Sequence, residues 1–131
     1  MCFMGKYKII IAEDDTVLRD LYLRKFKIDQ YDIRTAANGQ EALDFIAQDP
    51  PNLILLDINM PVLDGFGVLE KMPREKRNFP IVMLTNFDDQ ANRDRGHALG
   101  VDDYFVKKDM TIKSLLDMVE RLLGAQKNPS L

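Results

Sequence analysis

Leu53-Ile54-Leu55-Leu56-Asp57 is a run of four apolar residues closed by a single carboxylate. A strand apolar at consecutive positions shows apolar groups on both faces, as a central strand covered by helices on each side requires. Three other runs have the same form. Lys8-Ile9-Ile10-Ile11-Ala12 ends in Glu13-Asp14-Asp15, Pro80-Ile81-Val82-Met83-Leu84 ends on the hydroxyl of Thr85, and Asp103-Tyr104-Phe105-Val106 ends on Lys107. If the strands are parallel, the four polar ends emerge at one edge of one sheet, where ligands of open α/β sheets bind. Clustered carboxylate oxygens favour a hard divalent cation such as Mg²⁺. A lysine beside them suits an anion, with phosphate the leading candidate.

Outward from these runs, short apolar stretches alternate with amphipathic ones along the whole chain, the pattern of βαβ units and a parallel sheet. Strands are expected near 7–12, 32–36, 53–57, 80–84 and 103–106, and helices near 16–28, 39–48, 65–72, 88–98 and 112–123. The first helix places Leu18, Leu21, Tyr22 and Phe26 on one face, and the last does so with Ile112, Leu115, Leu116, Val119, Leu122 and Leu123. Both approximate the i, i+3, i+4, i+7 rule. Asp15 reads as the N-cap before Thr16. Asn38-Gly39 opens the second helix, and Gly124 reads as the stop signal of the last. The fourth helix is expected to be marginal. Its apolar stripe is little more than Ala91, Ala98 and Leu99, and Gly96 inside it costs about 0.5–1 kcal/mol relative to Ala. Marginal elements are the usual material of conformational switches.

The 131 residues are about one domain's worth, 46% of them hydrophobic, with a net charge of -3 that gives no case for non-specific nucleic-acid binding. No apolar run approaches the ~20 residues of a membrane span. The single cysteine, Cys2, excludes an internal disulfide and fits a reducing cytoplasm, the expected location. It reads as a tail residue without function, and Met4 is an alternative start. The expected division is a tail at 1–6, one domain over 7–124 and a second tail at 125–131.

Over roughly residues 6–124 the chain resembles the receiver domains of two-component response regulators, chemotaxis regulators among them. The resemblance rests on Glu13-Asp14, Asp57, Met60-Pro61-Val62-Leu63-Asp64-Gly65, Thr85, Leu99-Gly100-Val101-Asp102-Asp103-Tyr104 and Lys107, all in order and at matching spacing. It implies a flavodoxin-like (βα)5 doubly wound sandwich with a parallel sheet in the order 2-1-3-4-5. It implies a phosphorelay protein that takes a phosphoryl group from a phosphohistidine onto Asp57, and no enzyme beyond its own phosphoryl transfer and dephosphorylation. Glu13, Asp14, Asp57 and the backbone carbonyl of Asn59 would hold Mg²⁺. Lys107 would pair with the phosphoryl oxygens, Thr85 would hydrogen-bond one of them, and Tyr104 would turn inward as Thr85 moves. The implied partners are a sensor histidine kinase or a histidine phosphotransfer protein, and a downstream protein target or a missing effector domain. Neither nucleic acid nor membrane is expected as a partner of this chain alone. The fourth helix, fifth strand and fifth helix form the expected signalling surface and admit a homodimer.

Each residue also has a plainer reading. Asp57 would cap a loop, though a lone carboxylate ending a central strand is expensive unless paired. Glu13 and Asp14 would favour a helix start. Lys107 would be a surface lysine, Tyr104 core packing, and the only histidine, His97, an exposed residue with no partner for a metal site. Two departures from the family pattern stand out. Lys108 replaces the usual proline after the lysine, where a cis bond is common in the family and would cost a non-proline residue about 2.5–4 kcal/mol. Asn86 and Phe87 follow Thr85, where the family has a small residue, and would screen the site from water or small phosphodonors. The rival enzyme reading is a Mg²⁺-dependent aspartyl phosphatase of the haloacid dehalogenase type. Its Asp-x-Asp signature meets Glu13-Asp14-Asp15 here, which puts Glu at the nucleophile position. A flavodoxin-like nucleotide or flavin binder would cradle phosphate on its first turn, but here that turn is three acids.

Overall fold

The computed structural model describes residues 7–28, 31–86 and 89–126. Five parallel strands, β1 (Lys8–Ala12), β2 (Asp32–Ala36), β3 (Leu53–Asp57), β4 (Ile81–Thr85) and β5 (Asp103–Val106), form one sheet in the order β2-β1-β3-β4-β5. The helices are α1 (Thr16–Ile28), α2 (Gly39–Gln48), α3 (Gly65–Lys71), α4 (Gln90–Ala98) and α5 (Ile112–Gln126). This is the α/β, flavodoxin-like, doubly wound sandwich. Reversal of strand order between β1 and β3 opens a crevice at the carboxyl ends of those strands.

Alternation along the strands sorts the core into two layers. Ile9, Ile11, Leu53, Leu55, Val82 and Leu84 pack with Tyr22 and Phe26 of α1 and with Leu115, Val119 and Leu123 of α5. Ile10, Ile54, Leu56, Ile81, Met83 and Tyr104 face the other way, against Ala42 and Ile46 of α2 and Phe66, Val68 and Leu69 of α3. All five residues of β3 and of β4 are buried, as the two-sided apolar runs require.

The helix starts follow local chemistry. Asp15 Oδ1 accepts from the amides of Val17 and Leu18, at 2.9 and 3.1 Å. Asn38 accepts from Glu41, while Glu41 reaches back to the amide of Ala37. Asp64 caps α3 by accepting from Gly67. At two points the structure departs from the expected boundaries. Gly124 is no stop: α5 continues to Gln126, because an exposed glycine with nothing near its Cβ position leaves the helix unobstructed. β4 ends on Thr85 itself, which pairs with Val106 of β5. The expectations for Cys2 and Met4, for Phe87 and for the start of α4 at 88 lie outside the described residues.

α4 is held in an unusual way for its length. Only Gly96 of its residues is buried. Two arginines supply what its apolar side lacks: Arg93 lies over the Tyr104 ring at 4.6 Å, and Arg95 over the Phe66 ring at 4.3 Å with an ion pair to Glu70. Asp89 caps its start by accepting from Ala91.

Candidate phosphoacceptor site

Parallel register assembles the site. Ala12 pairs with Leu56, so the next residues, Glu13 and Asp57, emerge side by side. Thr85 pairs with Val106, so Lys107 emerges one position beyond Thr85. One carboxylate oxygen each from Glu13, Asp14 and Asp57 lies within 4.8 Å of the others. Lys107 reaches over from β5, placing Nζ 2.6 Å from Glu13 Oε1 and 3.4 Å from Asp57 Oδ2. A hollow of about 400 Å³ opens over this group, and Asn59 and Asn86 also line it.

Glu13 and Asp57 are buried, at 1% and 3% exposure, whereas Asp14 is exposed. Burial first, and then the neighbouring Glu13 charge, push the Asp57 carboxyl up to about 7; Lys107 works against both. A buried carboxylate beside another is the arrangement a divalent cation relieves. Three carboxylates converging on one point form a hard-oxygen donor set, and these can hold a metal ion. The nearby Tyr22 phenol is pushed above its ordinary range by burial, then by the charges of Glu13 and Asp57. It stays neutral and supplies no negative charge.

Two glycines shape the loop after Asp57. A Cβ on Gly65 would lie 2.6 Å from the Asp57 carbonyl oxygen, and the Gly65 amide donates to Ile58 at 2.9 Å. α3 therefore starts against the backbone that presents Asp57, at a distance that requires glycine. The amide of Gly39 donates to Leu63 from the α2 side. Between them Val62 sits at φ 69, with the Leu63 amide bonded to Pro61 at 2.7 Å, a γ-turn strained for a β-branched residue.

Tyr104 and Thr85 share one face of the sheet, two positions apart across the β4–β5 register, and both are buried. Tyr104 lies inward in this structure, 6% exposed, with Arg93 of α4 over its ring. The Lys107–Lys108 bond is trans, since no cis bond occurs among the described residues. The chain instead turns through a 3₁₀ segment, Lys107–Asp109, and Lys107 still reaches the acids. Asn86 is exposed at the rim. His97 is exposed on α4, as expected.

Sequence reasoning passed over Arg19. Its Nη1 donates to the Glu13 carbonyl at 2.9 Å. An arginine in the second turn of an amphipathic helix carries no mark of this contact in the sequence.

Residues 9–120 match the family model described as the response regulator receiver domain. The chain is 38% identical over 128 residues to the "Probable transcriptional regulator ycf27" of Cyanophora paradoxa, an alignment covering 98% of this chain and 53% of that protein. The chain thus spans about half the length of that curated relative. The receiver domain of a Francisella response regulator superimposes with a TM-score of 0.85 at 30% identity, covering 93% of this chain and all (100%) of that one. A CheY-like receiver domain protein from Methanospirillum hungatei superimposes with a TM-score of 0.87 at 27% identity, covering 94% and 98%. Nothing in these comparisons supports the haloacid-dehalogenase phosphatase reading. Among the described residues no helix is long and apolar enough to cross a membrane.

Proposed function

We propose, for a chain that belongs to the response regulator receiver domain family, that Asp57 is its phosphoacceptor and that the donor is a phosphohistidine. Receiver domains of this family are signalling modules. The observation that carries the assignment is Asp57 itself, a buried carboxylate whose neighbours are two further acids and one lysine ammonium.

In the proposed transfer an Asp57 carboxylate oxygen attacks the phosphorus in line. The bond from phosphorus to the imidazole nitrogen breaks, and the imidazole leaves with the electron pair and takes up a proton. Glu13, Asp14, Asp57 and the Asn59 carbonyl would hold Mg²⁺, which would neutralise charge on the acceptor and phosphoryl oxygens. Lys107 is already beside the acceptor and pairs with a phosphoryl oxygen after transfer. The Thr85 hydroxyl donates to another phosphoryl oxygen. Its displacement is read by Tyr104 on the same sheet face, and through Tyr104 by Arg93 of α4.

The proposed partners are a sensor histidine kinase or a phosphotransfer protein upstream, and a protein target or an effector domain downstream. The α4-β5-α5 face is the proposed output and homodimer surface. Residues 7–124 are proposed as the functional unit, with no turnover of external substrates.

Incubation with a small phosphodonor and Mg²⁺, followed by intact-mass measurement, tests the assignment. The parent is expected to gain one phosphoryl group and Asp57→Asn none. An Asp57→Asn variant labelled as fully as the parent refutes it.

A further inference from the structure

Glu13 is fixed from three elements. Its amide donates to Ala36 of β2 at 2.9 Å, its carbonyl accepts from Arg19 of α1, and its two carboxylate oxygens accept from Lys107 and from the Asp15 amide. Asp14, the next residue, is exposed and its side chain makes no hydrogen bond among the described residues. What holds Asp14 is therefore the backbone it hangs from. A peptide unit is planar, so fixing the Glu13 carbonyl oxygen fixes the plane that continues into Asp14. Arg19 is placed to do this because helical side chains lean toward the N-terminus, back over the loop that α1 leaves.

We infer that Arg19 is a positioning residue of the cation site. It aims Asp14 at the point shared with Glu13 and Asp57 by holding the Glu13–Asp14 peptide plane. The inference rests on the acceptor-site reading above and assigns a role to a residue outside the acid cluster. Electrostatics alone predicts the opposite sign: removing the Arg19 charge near the acids tightens a cation by Coulomb's law. A loss of cation affinity on removing Arg19 therefore reports geometry.

The test is the unfolding midpoint of the full chain as a function of Mg²⁺ concentration, with EDTA as the zero point. A ligand bound only by the folded state raises that midpoint by an amount that grows with the logarithm of its concentration over its dissociation constant. Arg19→Met, which keeps the stem without a donor, is expected to need roughly tenfold more Mg²⁺ for the same rise, the scale on which residues supporting a metal's ligands act. Arg19→Gln, which keeps a neutral donor, is expected to fall between. In an Asp14→Asn background Arg19→Met is expected to add little. Equal or tighter Mg²⁺ response in Arg19→Met overturns the inference. So does a lower EDTA midpoint with an unchanged Mg²⁺ requirement, which marks Arg19 as a fold residue only, and so does full additivity with Asp14→Asn. A parent with no Mg²⁺ response overturns the cation reading of the site itself, and the inference with it. A responsive parent beside an equally responsive Arg19→Met overturns only the role of Arg19.

Discussion

Asp57 carries a cost that its proposed role explains. Its carboxyl is raised from an ordinary 3.8 to about 7, mainly by burial. Between those values the folded chain holds a proton that the unfolded chain has released. Stability from this group is thus fully present below the unfolded value and lost as pH rises through about 7. In EDTA, the unfolding midpoint of the parent is expected to drop relative to Asp57→Asn between about pH 4 and about pH 7 and to level off above that, by on the order of several °C. Parallel pH profiles for the two proteins count against the raised acceptor. Asn86 supplies a second prediction at this scale. It lines the hollow over Asp57, next in the chain to Thr85. Shielding of the phosphoryl group by Asn86 predicts faster loss of label in Asn86→Ala, whereas slower loss in Asn59→Met alone would place control of water at Asn59. An unchanged or slower rate in Asn86→Ala refutes shielding.

α4 is an element whose sequence argues against it and whose contacts rescue it. Helices gain most of their stability from apolar packing, yet this one buries only Gly96 and leans on two arginine–aromatic stacks. A Cβ at Gly96 would meet Val101 at 3.4 Å, Met83 at 3.6 Å and Tyr104 at 3.7 Å, all ordinary contact distances. Gly96→Ala is therefore expected to fit and to stabilise the protein by about 0.5–1 kcal/mol through lower chain entropy in the unfolded state. Loss of stability in urea titration would mean that the helix sits closer to β5 than these distances allow. Arg93→Ala is expected to cost about 0.5–1 kcal/mol and to raise amide exchange in α4 above that in α1. Equal exchange in the two helices would show that Arg93 does not hold α4.

Across the whole molecule, the edge of the sheet opposite the acceptor is held by Arg77. It is 2% exposed at the side chain and donates to the carbonyls of Phe79, Met72 and Gly100 and to the Asp102 carboxylate. These contacts tie the approach to β4 to the turn between α4 and β5, so the C-terminal end of α4 is anchored. Arg77→Met removes the donor from the carbonyls of Phe79, Met72 and Gly100, all partly buried contacts, and is expected to cost on the order of 3 kcal/mol, read as a lower urea midpoint. A cost below about 1 kcal/mol would reduce the contact to a surface ion pair. The local record in the chain was enough for the strands, for the capped starts of α1 and α2, for the two-sided burial of β3, and for Glu13, Asp14, Asp57, Thr85 and Lys107 as the polar ends of strands. Those features follow from residue type and period, which act within a few positions. Tertiary structure alone decided that α5 runs past Gly124, that α4 stands on Arg93 and Arg95, that Lys107 reaches Glu13 and Asp57 without a cis bond, and that Arg19 holds the Glu13 carbonyl. Each of those depends on what lies across from a side chain rather than beside it in the chain. Partners 94 residues apart, such as Lys107 and Glu13, are brought together by the register of parallel strands, which no local pattern encodes.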